Sequence, residues 1–149
     1  MELSLPDEAA TWALGVAVAK ALRAGEAVCL SGPLGAGKSS LARALIRELT
    51  TAEEEVPSPT YTLVQSYDGA GFPLAHFDLY RIKSPDEVEE LGLDEALEAG
   101  AAIIEWPQRL GGRLPPHRLS IEIEPTPDGS ARTAKLGFHG AWEGRRLDV

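Results

Sequence analysis

The spacing of apolar and polar residues predicts alternating helices and strands in the first third of the chain. Residues 6–22 carry apolar side chains at helical spacing, and the apolar run Glu26–Ser31 is typical of a strand buried on both faces. Helical spacing resumes over Lys38–Leu49 after a glycine-rich loop. We therefore expect the order helix, strand, loop, helix, followed by a polar, acidic connection over residues 50–59.

The rest of the chain is predicted to be richer in strands. Alternation and short apolar runs indicate strands at Tyr61–Tyr67, Phe72–Leu79, Ala101–Ile104, Leu119–Glu124 and Arg132–Phe138. The first two are expected to form a hairpin, and the last two an antiparallel pair around Pro-Asp-Gly. A further helix is predicted to begin at Ser84, with Glu87 completing a capping box.

Composition narrows the class of protein. A chain of 149 residues with 44% apolar content can bury one ordinary core, so we expect a single domain over residues 1–149. Its net charge of -9 repels nucleic acid at long range, so any nucleic acid would be reached through a partner. The single cysteine, Cys29, lies in an apolar run and is predicted to be a buried thiol. No targeting or membrane segment is recognisable, which predicts a cytoplasmic protein.

The segment Gly32-Pro-Leu-Gly-Ala-Gly-Lys-Ser39 matches the phosphate-loop pattern G-x-x-x-x-G-K-[ST] between a predicted strand and a predicted helix. In such a loop backbone N–H groups surround the nucleotide phosphates, the lysine meets the terminal phosphates, and the serine hydroxyl binds magnesium. The alternative is a glycine-rich turn that binds nothing, which Lys38 and Ser39 argue against. The candidate binding residues are Gly32, Gly35, Ala36, Gly37, Lys38, Ser39 and Ser40.

Two acidic residues are candidates to complete a magnesium site beside this loop. Asp78 ends the predicted strand Phe72–Leu79, and Glu105 directly follows Ala101–Ile104. Carboxyl ends of parallel strands meet at one edge of a sheet, so both can reach the ion. The alternative for each is an acid that ends a strand or pairs with an arginine. Thr60 is a candidate switch residue, with an entry to an edge strand as the equal alternative.

The nucleotide is predicted to be ATP. The chain contains no asparagine, so the Asn-Lys-x-Asp element that reads guanine in many small GTPases is missing. Little sequence remains for a lid and a separate acceptor site, which weakens a small-molecule kinase reading. No Ser-Gly-Gly-Gln signature of the transporter-type ATPases is present.

With these residues identified, the chain closely resembles the TsaE (YjeE) family, the ATPase subunit of bacterial tRNA threonylcarbamoyladenosine biosynthesis. The departures are Pro33, where the family usually has an acid, and Ser39, where it usually has threonine. The resemblance rests on these segments: Pro6-Asp-Glu-Ala-Ala-Thr11, the phosphate loop, Ser58-Pro-Thr-Tyr-Thr-Leu-Val64, His76-Phe-Asp-Leu-Tyr-Arg81, Glu90-Leu-Gly-Leu93 and Ile104-Glu-Trp-Pro107.

The resemblance implies a three-layer α/β phosphate-loop NTPase sandwich with a mainly parallel central sheet and antiparallel strands at its margins. It implies that Ser39 and Glu105 bind magnesium, that Asp78 is the Walker B acid, that Thr60 is the switch threonine and that Thr11 lies near the adenine. It also implies two partner proteins, TsaB and TsaD, on which ATP hydrolysis drives a cycle of binding and release.

In the resulting hypothesis Lys38 and magnesium neutralise the terminal phosphate, and Glu105 or Asp78 positions the attacking water. No arginine can be assigned as an internal finger from the sequence, so slow hydrolysis by the isolated chain and activation by the partners are expected. The rival hypotheses are a phosphotransferase acting on a small alcohol or protein, and a nucleotide-responsive binding module.

Overall fold

The computed structural model describes residues 1–59 and 62–149, and within them seven strands form one sheet. The strands are β1 (Glu2–Leu5), β2 (Ala27–Ser31), β3 (Val64–Asp68), β4 (Pro73–Asp78), β5 (Ala101–Glu105), β6 (Arg118–Pro125) and β7 (Arg132–His139). The helices are α1 (Glu8–Ala21), α2 (Lys38–Leu49), α3 (Glu87–Leu91) and α4 (Leu93–Ala99). Short 3₁₀ turns lie at Pro107–Leu110 and Gly140–Trp142.

The strand order is β1-β7-β6-β2-β5-β4-β3. The four inner strands β6, β2, β5 and β4 pair in parallel, whereas β1, β7 and β3 add antiparallel pairings at the two margins. This arrangement confirms the predicted α/β class with a parallel centre and antiparallel marginal strands. None of the described helices is long and apolar enough to cross a bilayer.

The central strand β2 is covered by helices on both sides of the sheet, because successive side chains of a strand point to opposite faces. Val28 and Leu30 belong to the cluster that contains α1 and α2, and Ala27 and Cys29 belong to the one that contains α3 and α4. Cys29 is buried, as predicted, and burial raises the pKa of its thiol to about 12.

Most element ends differ from the prediction by one or two residues, and three larger differences occur. Strand β1 was not predicted; its four residues pair with β7, and that pairing cannot be read from so short a stretch. Strand β3 begins at Val64, three residues later than predicted, and Tyr61, the first residue of the predicted strand, lies outside the described part. Helix α3 begins at Glu87 with Asp86 at its N-cap position, so the predicted cap at Ser84 is wrong. The Glu87 carboxylate accepts a hydrogen bond of 2.6 Å from the Lys83 backbone N–H and not from that of Ser84.

Helices α1 and α2 approach each other closely at Gly15. A Cβ atom on this residue would lie 2.7 Å from Ala44 Cβ and 2.8 Å from the Leu41 carbonyl oxygen. Both distances are below van der Waals contact, and one involves backbone that a side-chain rotation cannot move. The absence of a side chain at position 15 therefore sets the spacing of the helix that follows the glycine loop.

Gly15→Val is expected to destabilise the protein by about 1–3 kcal/mol, because the added methyls overpack a helix interface. Urea unfolding followed by circular dichroism measures the effect. The control is Ala13→Val on the exposed face of the same helix, which carries the β-branching cost alone. Equal losses in the two variants would show that the close approach at Gly15 does not matter.

Candidate nucleotide-binding site

The glycine-rich segment forms a loop that connects the end of β2 with the start of α2, as predicted. Gly32 has a φ of 138°, and a Cβ there would clash with the Ile123 carbonyl oxygen of β6. Gly37, which precedes α2, has a φ of 104°. A side chain at Gly32 would be strained and would clash with backbone, whereas one at Gly37 would be strained and would displace the Arg132 guanidinium group.

Lys38 is buried behind this loop. Its Nζ donates a hydrogen bond of 2.8 Å to the Gly32 carbonyl oxygen and lies 3.9 Å from the centroid of the Trp106 ring. Burial lowers the pKa of Lys38, and the carboxylates of Glu105 and Asp78 act in the opposite direction. The ammonium group is thus held by a carbonyl, an aromatic face and two nearby negative charges, all of which favour a cation.

The two candidate carboxylates lie side by side at the sheet edge next to the loop. Leu30 of β2 pairs with Glu105 of β5, and Glu105 pairs with Asp78 of β4. Register partners on adjacent parallel strands are about 4.8 Å apart and point to the same face. Both residues are buried, and Asp78 Oδ1 accepts a hydrogen bond of 3.0 Å from the Tyr80 backbone N–H.

Glu105 has a buried partner that the sequence did not suggest. His76 Nε2 lies 2.7 Å from Glu105 Oε2, and the histidine is 2% exposed. His76 precedes Asp78 by two residues in β4, so the two side chains share one face of the sheet. The second ring nitrogen, Nδ1, is buried and has no hydrogen-bond partner in the described part of the chain. His76 therefore holds one oxygen of Glu105 in place.

The loop, Lys38 and the two carboxylates border a cavity of about 260 Å³. It is lined by Leu34, Gly35, Gly37, Lys38, Ser39, Ser40, Ser58, Asp78, Glu105, Trp106 and Arg132. A neighbouring cavity of about 410 Å³ shares Trp106 as a lining residue and is also lined by Glu122 and Glu124, with no basic residue from the described part of the chain. The smaller cavity is the one whose charges suit a polyphosphate.

The remaining predicted site residues lie around this cavity. Gly32 lines the neighbouring cavity, and Ala36, within the loop, is buried. Thr11, in the first turn of α1, is fully buried, and its hydroxyl accepts a hydrogen bond of 3.1 Å from Arg132. Thr60 lies outside the described residues, although Ser58 just before it lines the cavity.

Arg132 is a residue of the site that sequence reasoning missed. It belongs to β7, far along the chain from the loop, and in sequence it is an ordinary polar position at the start of an alternating strand. Only the antiparallel return of β7 places it beside Gly37. Trp106 lay within the segment that carries the family resemblance but was not singled out, and its ring supports Lys38.

The donor set suits magnesium. Mg²⁺ prefers oxygen ligands and is usually held by one or two carboxylates together with substrate phosphates, not by a cage of protein side chains alone. Ser39, Asp78 and Glu105 line the same cavity and supply a hydroxyl and two carboxylates. Among the described residues no cluster of three or more His, Cys, Asp or Glu side chains could hold a metal by itself. A metal at this site would need ligand oxygens from the nucleotide.

Comparison with known proteins identifies relatives over most of the chain. The sequence model of the family described as threonylcarbamoyl adenosine biosynthesis protein TsaE matches residues 5–134. A tRNA threonylcarbamoyladenosine biosynthesis protein TsaE from Rickettsia felis is 37% identical over 122 residues, covering 82% of this chain and 71% of that protein. One from Streptomyces coelicolor is 40% identical over 114 residues, covering 74% and 76%.

The fold also matches a solved structure. The crystal structure of YdiB from Bacillus subtilis has a TM-score of 0.76 and 27% sequence identity to this chain, and the match covers 96% of this chain and 88% of that one. The likeness therefore extends over nearly the whole length of this chain.

His76→Leu is expected to destabilise the protein by about 1–3 kcal/mol, because the buried carboxylate of Glu105 loses its hydrogen-bond partner. His76→Gln keeps an N–H donor near the position of Nε2 and should lose less. Urea unfolding of both variants at neutral pH measures the difference. If the leucine and glutamine variants were equally stable, the contact between His76 and Glu105 would contribute nothing to folding.

Proposed function

The chain belongs to the TsaE family, which serves the biosynthesis of tRNA threonylcarbamoyladenosine, and we propose that it does so as a magnesium-dependent ATPase that cycles on a complex of TsaB and TsaD. One observation carries the ATPase part. Leu30, Glu105 and Asp78 stand in one row across three strands, so two carboxylates border the cavity that contains Lys38.

In the proposed mechanism, the loop amides and the N-terminus of α2 bind the phosphates of ATP. Lys38 exchanges its hydrogen bond to the Gly32 carbonyl for the terminal phosphates. This exchange requires little movement, because the ammonium group already lies at the cavity. Magnesium, held by Ser39 with Asp78 and Glu105, would supply positive charge against the charge that develops on the phosphate oxygens.

The attacking water is oriented by one of the two carboxylates. His76 engages Glu105 Oε2, while Oε1 has no hydrogen bond within the described residues, so it can accept from a water. Asp78 Oδ1 is already engaged by the Tyr80 N–H. The contact with His76 fixes the Glu105 side chain, so we propose Glu105 as the group that orients the water in addition to bordering the metal.

The partners are proposed to complete the site and to hold the tRNA. The net charge of -9 makes strong binding of a phosphate backbone by this chain alone unfavourable. Near the cavity, Leu34 is 73% exposed at the tip of the loop and Tyr80 is 40% exposed. Apolar side chains at the rim of a nucleotide site suit a partner whose docking responds to the nucleotide state.

The decisive measurement is ATPase activity with and without TsaB and TsaD. The native chain is expected to hydrolyse ATP slowly alone and faster with both partners. Glu105→Gln keeps the shape of the side chain but removes its charge and its basicity. It is expected to lower the rate on the order of 10²- to 10⁴-fold. Lys38→Gln is expected to weaken ATP binding.

The matched control is Glu122→Gln, which removes an exposed carboxylate from the neighbouring cavity and should leave the rate unchanged. Three results would contradict the proposal. Normal hydrolysis by Glu105→Gln would exclude its role, and phosphorylated products in mass spectra would identify a phosphotransferase. Full tRNA modification with a hydrolysis-deficient variant would indicate a nucleotide-responsive binding module.

A further inference from the structure

Arg132 reaches from the antiparallel margin of the sheet to the phosphate loop. A Cβ built on Gly37 would lie 2.6 Å from Nη1, 2.7 Å from Cζ and 2.8 Å from Nε of this arginine. Three atoms of the guanidinium group are therefore almost equally close to one point, and the group lies over the backbone of Gly37. Arg132 also lines the cavity that contains Lys38.

Two side chains of α1 accept hydrogen bonds from the guanidinium group of Arg132. Nη1 donates hydrogen bonds of 3.0 Å to Glu8 Oε2 and 3.1 Å to Thr11 Oγ1. Glu8 also interacts with Ser40, whose hydrogen bond is the largest cause of the lowered pKa of that carboxyl group, ahead of Arg132. Ser40 lies in the first turn of α2. Three elements of the fold thus fix one cation beside the start of α2.

The position of Arg132 relative to the carboxylates follows from the strand order. Glu105 and Asp78 lie on β5 and β4, on one side of β2, whereas Arg132 lies on β7, two strands away on the other side. The Nζ of Lys38 lies over the ring of Trp106, the residue that follows β5, so its ammonium group is on the same side of β2 as the carboxylates. Lys38 and Arg132 are the basic residues among those that line the cavity, and they stand on opposite sides of the loop.

Within the described residues only Nη1 of Arg132 is engaged in hydrogen bonds, so Nε and Nη2 can donate. A guanidinium group with donors left over is suited to bind phosphate oxygens in pairs. We propose that Arg132 binds the phosphate next to the nucleoside, at the end of the cavity away from the carboxylates. This inference rests on the proposed nucleotide binding and adds a residue to it.

A contact to that phosphate has a distinct signature. ATP and ADP share the phosphate next to the nucleoside, so Arg132 stabilises both complexes equally. Lys38 and a metal held by the carboxylates act at the far end of the polyphosphate, where ATP carries a phosphate that ADP lacks. Arg132 is therefore a binding residue that sets affinity for the nucleotide without discriminating between its two states.

Calorimetric titration of magnesium ATP and magnesium ADP tests the assignment. Arg132→Gln is expected to weaken the binding of both nucleotides roughly 10- to 100-fold and by about the same factor, because two charge-assisted hydrogen bonds are lost. Arg132→Lys keeps the charge but not the planar fork, and should lose less. If the glutamine variant fails to fold, the affinities of Arg132→Lys for the two nucleotides serve as the test instead. Arg146→Gln, at an exposed arginine near the C-terminus, is the matched control and should bind like the native chain.

The failures are distinguishable. If the native chain binds neither nucleotide, the proposed function itself fails. If the native chain binds both and Arg132→Gln binds them equally well, only the assignment of Arg132 is overturned. A loss confined to ATP would place the arginine at the terminal phosphate and would also overturn it. Unchanged affinity with a reduced rate of hydrolysis would do the same.

Discussion

Strand β2 has a parallel partner on each side, β5 and β6, and the site depends on these two pairings. The first brings Glu105 level with Leu30, just before the loop begins. The second brings the β6 backbone so close to Gly32 that no side chain fits there. Parallel strands end at a common edge, so the burial of one apolar strand between two others places the loop and the carboxylates together.

The charges at this edge are balanced locally, although the chain as a whole carries a net charge of -9. A lysine taken out of water loses solvation, which lowers its pKa, and two carboxylates in the adjacent strands act against that loss. The carboxylates in turn are not left as isolated buried charges. His76 engages one of them, and the Tyr80 N–H engages the other. Lys38, Glu105 and Asp78 therefore offset the cost of one another's burial.

The loop also links two parts of the sheet with different chemistry. On the parallel side the loop lies beside Asp78 of β4 and Glu105 of β5, whose carboxylates are suited to bind a metal ion and a water molecule. On the antiparallel side it meets β6 through Gly32 and the guanidinium group of β7 through Gly37. Glycines therefore occur in the loop for packing as well as for backbone freedom, because strands from both sides touch it. The marginal strands belong to the site as much as the central ones do.

Much of the fold was predictable because the dominant signals were local. Apolar periodicity located α1, β2 and α2, and the spacing of Gly32, Lys38 and Ser39 identified the loop. The candidate acids Asp78 and Glu105 were also found from local pattern, since each follows an apolar strand. The short strand β1 and the start of α3 were not, because the first exists through pairing with β7 and the second depends on turn geometry.

The sequence by itself determined which elements form, which loop is suited to phosphate and which family the chain resembles. Only the tertiary structure decided which distant side chains join that loop. The contacts of His76 with Glu105 and of Arg132 with Thr11 connect residues on different elements, brought together by strand order and register. Local periodicity carries no information on such pairings, because they arise when separate strands pack into one sheet.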